Sequence, residues 1–169
     1  MEPGEALSAA SQIAVALAGF AGVVVAFRSK SLHDWSHVDK FRLSNLLGNS
    51  LIPLFSCLFG MLLVTIKPTP LSIWRWCSGF LLLLGFVSAF LGRRRFSELG
   101  RTGIKDLGAY RYVFYMTGVL GIVVGLLQVY NVLVSGVFWF FYTGIIFQLG
   151  LCASQFARMI FQPPHTSKT

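Results

Sequence analysis

The sequence predicts an all-α fold, a polytopic membrane helix bundle, and three observations carry that expectation. Five stretches are each apolar over the roughly 20 residues an α-helix needs to cross the hydrocarbon core: Ala6–Phe27, Leu43–Ile66, Leu71–Leu91, Tyr112–Leu133 and Val137–Ile160. Basic residues crowd into alternate connections between them. The composition is that of a bundle dissolved in lipid: 55% of the 169 residues are hydrophobic and 12% are charged, with a mean hydropathy of +0.70. A soluble domain of this size is about one quarter charged. The connections leave no room for a second folded unit, so residues 1–169 read as one transmembrane domain.

The first stretch follows Met1-Glu2-Pro3-Gly4-Glu5. That end is acidic where a secretory signal is basic, and the apolar run is too long for a signal core, so it is expected to be a retained first span. A basic connection, residues 28–42, precedes the second span. Within it Ser36-His37-Val38-Asp39 resembles a capping box with Asp in place of Glu, which starts the second helix ahead of the membrane. Lys67-Pro68-Thr69-Pro70 is a tight reversal into the third span. A second basic connection, residues 92–111, leads to Tyr112–Ile160, which is nearly continuous yet far too long for one crossing. A turn at Ser135-Gly136 is therefore forced, and the fourth and fifth helices form an antiparallel hairpin.

Charge orients the bundle. The 28–42 connection holds Arg28, Lys30, Lys40 and Arg42; the 92–111 connection holds Arg93, Arg94, Arg95, Arg101, Lys105 and Arg111; the tail holds Arg158 and Lys168. With five spans, all twelve fall on one side and only Lys67 and Arg75 on the other. Basic connections stay cytoplasmic, so the expected topology is N-out and C-in in the cell inner (plasma) membrane. Aromatic belts agree, with Trp74, Trp76 and the Phe138–Tyr142 run at the outer boundary and Tyr110, Tyr112 and Tyr115 at the inner one.

Small residues mark where helices can approach closely in lipid. Ala10, Ala14, Ala18 and Gly22 recur every four residues on the first helix, and Gly118, Gly121 and Gly125 form a second ridge on the fourth. Each suits either an oligomer seam or a contact within the monomer. Polar residues form a second set of faces: Asn45 and Asn49 on the second helix, continued by Pro53, Ser56 and Gly60, and Gln148, Cys152 and Gln155 on the fifth. Asn49 and Gln155 are expected at similar depth, as are Gln12 and Gln128 toward the opposite boundary. A buried amide needs a partner or water, so these faces either join helices or line a polar cavity.

No Asp, Glu, Lys, Arg or His lies deep in any of the five stretches. This argues against ion-coupled transport and intramembrane aspartyl proteolysis, both of which keep a buried ionisable group. Cys57, Cys77 and Cys152 sit inside apolar stretches without CxxC spacing and read as small buried hydrophobes. His33 and His37 are four residues apart, as two metal ligands on one helical face are. Only His165 could join them, and both also suit a helix start at the interface. No cofactor or metal is implied. A net charge of +8 would suggest nucleic acid on a soluble domain, but no such domain presents it here. Arg93, Arg94, Arg95, Arg101 and Lys105 instead suit anionic lipid headgroups or an acidic partner, at about 1 kcal/mol per charge.

The run Ser11–Phe27, with Leu17-Ala18-Gly19-Phe20-Ala21-Gly22 at its centre, then Trp35 and Phe41-Arg42-Leu43, resembles a group of small bacterial multi-span membrane proteins with an Ala/Gly-rich "IAGFAG" first helix. The resemblance covers the first third of the chain. It implies a bacterial inner membrane location and transfers no activity and no site residues. The expected function is a non-enzymatic module that oligomerises or serves as a subunit of a membrane complex, contacting the lipid bilayer and anionic lipids. The alternative is a small homo-oligomeric channel or membrane-permeabilising effector lined by the polar faces of the second and fifth helices.

Overall fold

The structure is a computed structural model that describes residues 2–27, 37–66, 69–98 and 110–161. Over these residues the chain forms five long helices: α1 (Pro3–Phe27), α2 (His37–Ile66), α3 (Pro70–Glu98), α4 (Tyr110–Tyr130) and α5 (Phe138–Phe161). A π-helical turn, Asn131–Ser135, extends α4. All five are long and apolar enough to cross a membrane, with candidate spans Pro3–Val23, Leu43–Ile66, Ser72–Gly92, Met116–Ser135 and Phe138–Ala157. This is a multi-pass helical membrane architecture.

The helix starts follow local chemistry. Pro3 takes the first helical position of α1, where a missing N–H costs nothing. The Glu2 N–H donates to Glu5 Oε2 at 3.3 Å, the reach-back half of a capping box. Pro70 plays the same part in α3, where the Ser72 N–H donates to the Thr69 carbonyl at 3.0 Å. α2 begins at His37, six residues before its span at Leu43; Ser36 and His33 lie outside the described residues.

α3 departs from expectation by continuing through Gly92 to Glu98. Arg93, Arg94 and Arg95 therefore lie on its last turns and not in a connection. The reason is that hydropathy marks where the membrane ends, whereas Arg, Leu and Glu sustain a helix beyond it and one glycine costs only about 1 kcal/mol. Arg101 and Lys105 lie outside the described residues.

Neighbouring helices alternate in direction, and α5 touches all four others; the most extensive contact is between α1 and α2. Two buried clusters result. One joins Leu7 and Ala10 of α1, Ile52 and Cys57 of α2, Trp74, Cys77 and Leu81 of α3 and Phe138, Phe141 and Ile145 of α5. The other joins Ala21 of α1, Leu43 and Leu46 of α2 and Cys152 of α5, with Leu17 and Phe156 against it. These define a Trp74 end and a Phe156 end of the bundle.

Trp74 belongs to the first cluster, its ring 4.8 Å from Phe138 and edge-on to it. It is a core residue and not a belt residue, whereas Trp76 is 69% and Trp139 65% exposed.

Candidate functional site

Buried polar groups are the informative chemistry of an apolar bundle, and this one divides them into satisfied and unsatisfied sets. The best satisfied is Asn131, fully buried where α4 gives way to the π-turn. Its Nδ2 donates to Ser78 Oγ at 2.7 Å and to the Val137 carbonyl at 3.1 Å. Its Oδ1 accepts from the Val137 N–H at 2.8 Å. The turn closes as the Gly136 N–H donates to the Asn131 carbonyl at 2.9 Å. Gly136 has φ 64°, a left-handed conformation that glycine adopts without a Cβ clash. Nearby, Arg75 Nη2 donates to the Val134 carbonyl at 2.8 Å. One side chain thus joins α3, α4 and α5 at the Trp74 end, and the break at Ser135-Gly136 falls where the uninterrupted apolar run demands one.

The polar faces of α2 and α5 meet. Asn49 Nδ2 donates to Gln155 Oε1 at 3.1 Å, and Ser50 Oγ lies 2.8 Å from Cys152 Sγ. Ser50 Oγ also donates to the Leu46 carbonyl one turn back, at 2.8 Å. Further along this side of α2, Pro53, Ser56 and Gly60 are buried, and Ser56 Oγ is without a partner. At Gly60 α1 packs closely: a Cβ there would stand 2.9 Å from Leu7 Cδ1 and 3.6 Å from Phe141 Cε1. Asn45 is half-buried. The three cysteines are free and buried.

The structure does not bring Gln12 and Gln128 together. Gln12 is exposed on α1, and Ala16, Gly19 and Val23 share its face. It has no hydrogen-bond partner among the described residues. Gln128 is 2% exposed; its Nε2 donates to the Phe140 carbonyl, while its Oε1 is buried and unpartnered. Gln148, half-buried on α5, also has a buried, unpartnered Oε1.

The small-residue ridges divide as well. Ala10 and Ala14 are buried inside the fold, but Gly22 is exposed and a Cβ there would meet nothing within 4 Å. At 100° per residue a strict four-residue repeat drifts about 40° per step, so by Gly22 the ridge has rotated roughly 120° away from Ala10. The inward position passes to Leu17 and Ala21. On α4, Gly121 faces Phe147 at 3.7 Å, while Gly118 and Gly125 have open space where a Cβ would be. Among the described residues that ridge is not a close helix contact.

The sequence reading passed over Asn131. The signal was the three-residue spacing from Gln128, which puts both amides on one face of α4, and Ser78 in the apolar part of α3. Among the described residues no group of three His, Cys, Asp or Glu side chains comes together. Compared with family models, curated proteins and solved structures, the chain matches none of them.

Proposed function

We propose that the chain is a non-enzymatic membrane module that assembles through the outward face of α1, with a second copy or with another membrane subunit. The observation that carries this is Gln12. It lies one residue from the middle of the Pro3–Val23 span, exposed where lipid offers no hydrogen bond, with Ala16 and Gly19 below it on the same face. An unpartnered amide in hydrocarbon costs several kcal/mol on an alkane scale. A second helix docked over small residues would supply its partner. The bond between Asn49 and Gln155 favours helix packing over a polar pore lining for that part of the α2 and α5 faces.

The topology belongs to the same proposal: N-out and C-in in the cell inner membrane, with the basic helix end at Arg93–Arg95 and its neighbours contacting anionic headgroups or a partner. Support comes from the uneven division of Lys and Arg between the two sides.

The test is Gln12→Leu sized in mild detergent and cross-linked in native membranes. Wild type should run as an oligomer, or with a partner, and the variant should dissociate while melting at the same temperature. A monomeric, partner-free wild type, or an assembly indifferent to Gln12→Leu, rejects the proposal.

A further inference from the structure

α1 has two faces, and they follow different repeats. Leu7, Ala10, Ala14 and Ala21 are buried against the rest of the bundle. On the other side Ala9 is half-buried and Gln12, Ala16, Gly19 and Val23 are exposed. Their spacings are three, four, three and four, the heptad repeat along which two α-helices wind around each other. At 100° per residue, the direction midway between Gln12 and Ala16 lies half a turn from Ala14. One face of α1 therefore packs on its own chain while the opposite face presents a heptad.

The heptad matters because it runs straight. It drifts only about 20° per repeat, which a left-handed supercoil absorbs, whereas a strict four-residue ridge turns away from its partner. Close approach is open along it: a Cβ on Gly19 would meet nothing within 4 Å. Ile13 and Phe20 on one flank and Val15 on the other are 51–54% exposed, so apolar surface borders the stripe on both sides. Glu5 stands one heptad before Gln12, about 10 Å nearer the boundary, where its Oε2 accepts from the Glu2 N–H. The apolar stripe thus begins at Ala9.

Gln12 says what covers this face. It lies one residue from the middle of the Pro3–Val23 span, and lipid offers an amide there neither donor nor acceptor. A carboxamide carries both, so it is its own complement. Across a two-fold axis each Nε2 can donate to the other copy's Oε1, and no polar residue at matching depth is required of a different protein. Copies inserted in one orientation are related by an axis along the membrane normal, which pairs α1 with α1 in parallel and closes at two. We propose that two copies of this chain dimerise through α1 along the Ala9–Val23 heptad, with the two Gln12 amides bonded to each other. This rests on assembly through the outward face of α1 and names the partner as a second copy.

The test uses the purified full chain, reconstituted alone into liposomes at high lipid-to-protein ratio. The three native cysteines are buried, so wild type treated with copper phenanthroline sets the background. Ala16→Cys and Gly19→Cys should form disulfide-linked dimers, whereas Leu83→Cys, at a position 58% exposed on α3, should not. Energy transfer between labelled copies across a lipid-dilution series gives the dimerisation constant. Gln12→Leu should weaken it roughly eightfold, the loss of two average interhelical hydrogen bonds. Gln12→Asn, which keeps donor and acceptor, should recover part of that loss. Cross-linking of Leu83→Cys equal to that of Ala16→Cys, or a dimer indifferent to Gln12→Leu, overturns the proposal. A monomer in liposomes, with Ala16→Cys cross-linking to a different protein in native membranes, overturns the second copy and leaves assembly through α1 standing. A monomer in liposomes with no cross-link from Ala16→Cys in native membranes overturns both.

Discussion

Asn131 offers the most direct measurement of what holds this bundle together. Asn131→Ala removes two donated bonds and one accepted bond, to Ser78 Oγ, the Val137 carbonyl and the Val137 N–H. Side-chain hydrogen bonds between membrane helices are worth about 0.6 kcal/mol on average and about 1–2 in favourable cases. The Val137 N–H is a harder loss, because a backbone donor left unsatisfied away from water costs about 1–3 kcal/mol. We therefore expect Asn131→Ala to destabilise the fold by roughly 2–4 kcal/mol, and Ser78→Ala, which removes one bond, by about 0.6. In a double-mutant cycle the Ser78 effect should largely vanish once Asn131 is gone, since the two share that bond. The assay is reversible unfolding in mixed detergent micelles, followed by helix content. An Asn131→Ala protein within about 0.5 kcal/mol of wild type, or strictly additive effects of the two substitutions, would refute the idea that this side chain closes the α4–α5 hairpin.

Three further outcomes follow from the same contacts. Asn49→Leu should cost about 1 kcal/mol in that assay and be non-additive with Gln155→Leu, as one interhelical bond requires; additivity would mean the pair does not interact. Gly60→Ala places a Cβ 2.9 Å from Leu7 Cδ1 and should cost about 1–3 kcal/mol as overpacking, partly relieved by Leu7→Val, while no loss would place α1 farther away. Ala14→Leu, at a fully buried position, should disrupt packing and Gly22→Leu should be tolerated, as thermal melts of the two would reveal; equal effects would contradict the drift of the ridge.

What was legible in the sequence depended on which physical quantity was asked of it. The spans were legible because transfer of a long helix into lipid sums over about 20 side chains, so no single residue decides it. The α4–α5 turn was legible for the same reason, from the length of an apolar run that one crossing cannot hold. Helix ends outside the membrane were not: nothing in hydropathy distinguishes a connection from the helical extension at Arg93–Glu98.

Rotation about the helix axis was harder still. Trp74 and Trp76 are two residues apart and equally suited to an interface, and only contact with Phe138 makes one of them core. Asn49 and Gln155 could be matched because the directions of α2 and α5 put them at one depth. The same reasoning put Gln12 and Gln128 at similar depth, but equal depth does not make two faces meet, and the structure does not join them.

In a soluble protein an exposed glutamine is unremarkable, because water satisfies it. In a bundle whose outer surface is lipid, each amide must find its partner in protein, in trapped water or in a bound molecule. Asn131 makes three bonds within the chain, and Asn49 and Gln155 are bonded to each other. Gln12 points outward from α1 without a partner among the described residues, which is the group the proposed assembly would satisfy. Gln128 Oε1 and Gln148 Oε1 are buried without a partner among the described residues. These unsatisfied groups lie on different parts of the bundle: Gln12 is on α1, which packs on α2 and α5, whereas Gln128 and Gln148 are on α4 and α5. An amide elsewhere in the bundle could be replaced by leucine at the cost of stability alone. At Gln12 leucine removes a group with no partner among the described residues, whereas at Gln128 it would also remove the bond that Nε2 donates to the Phe140 carbonyl.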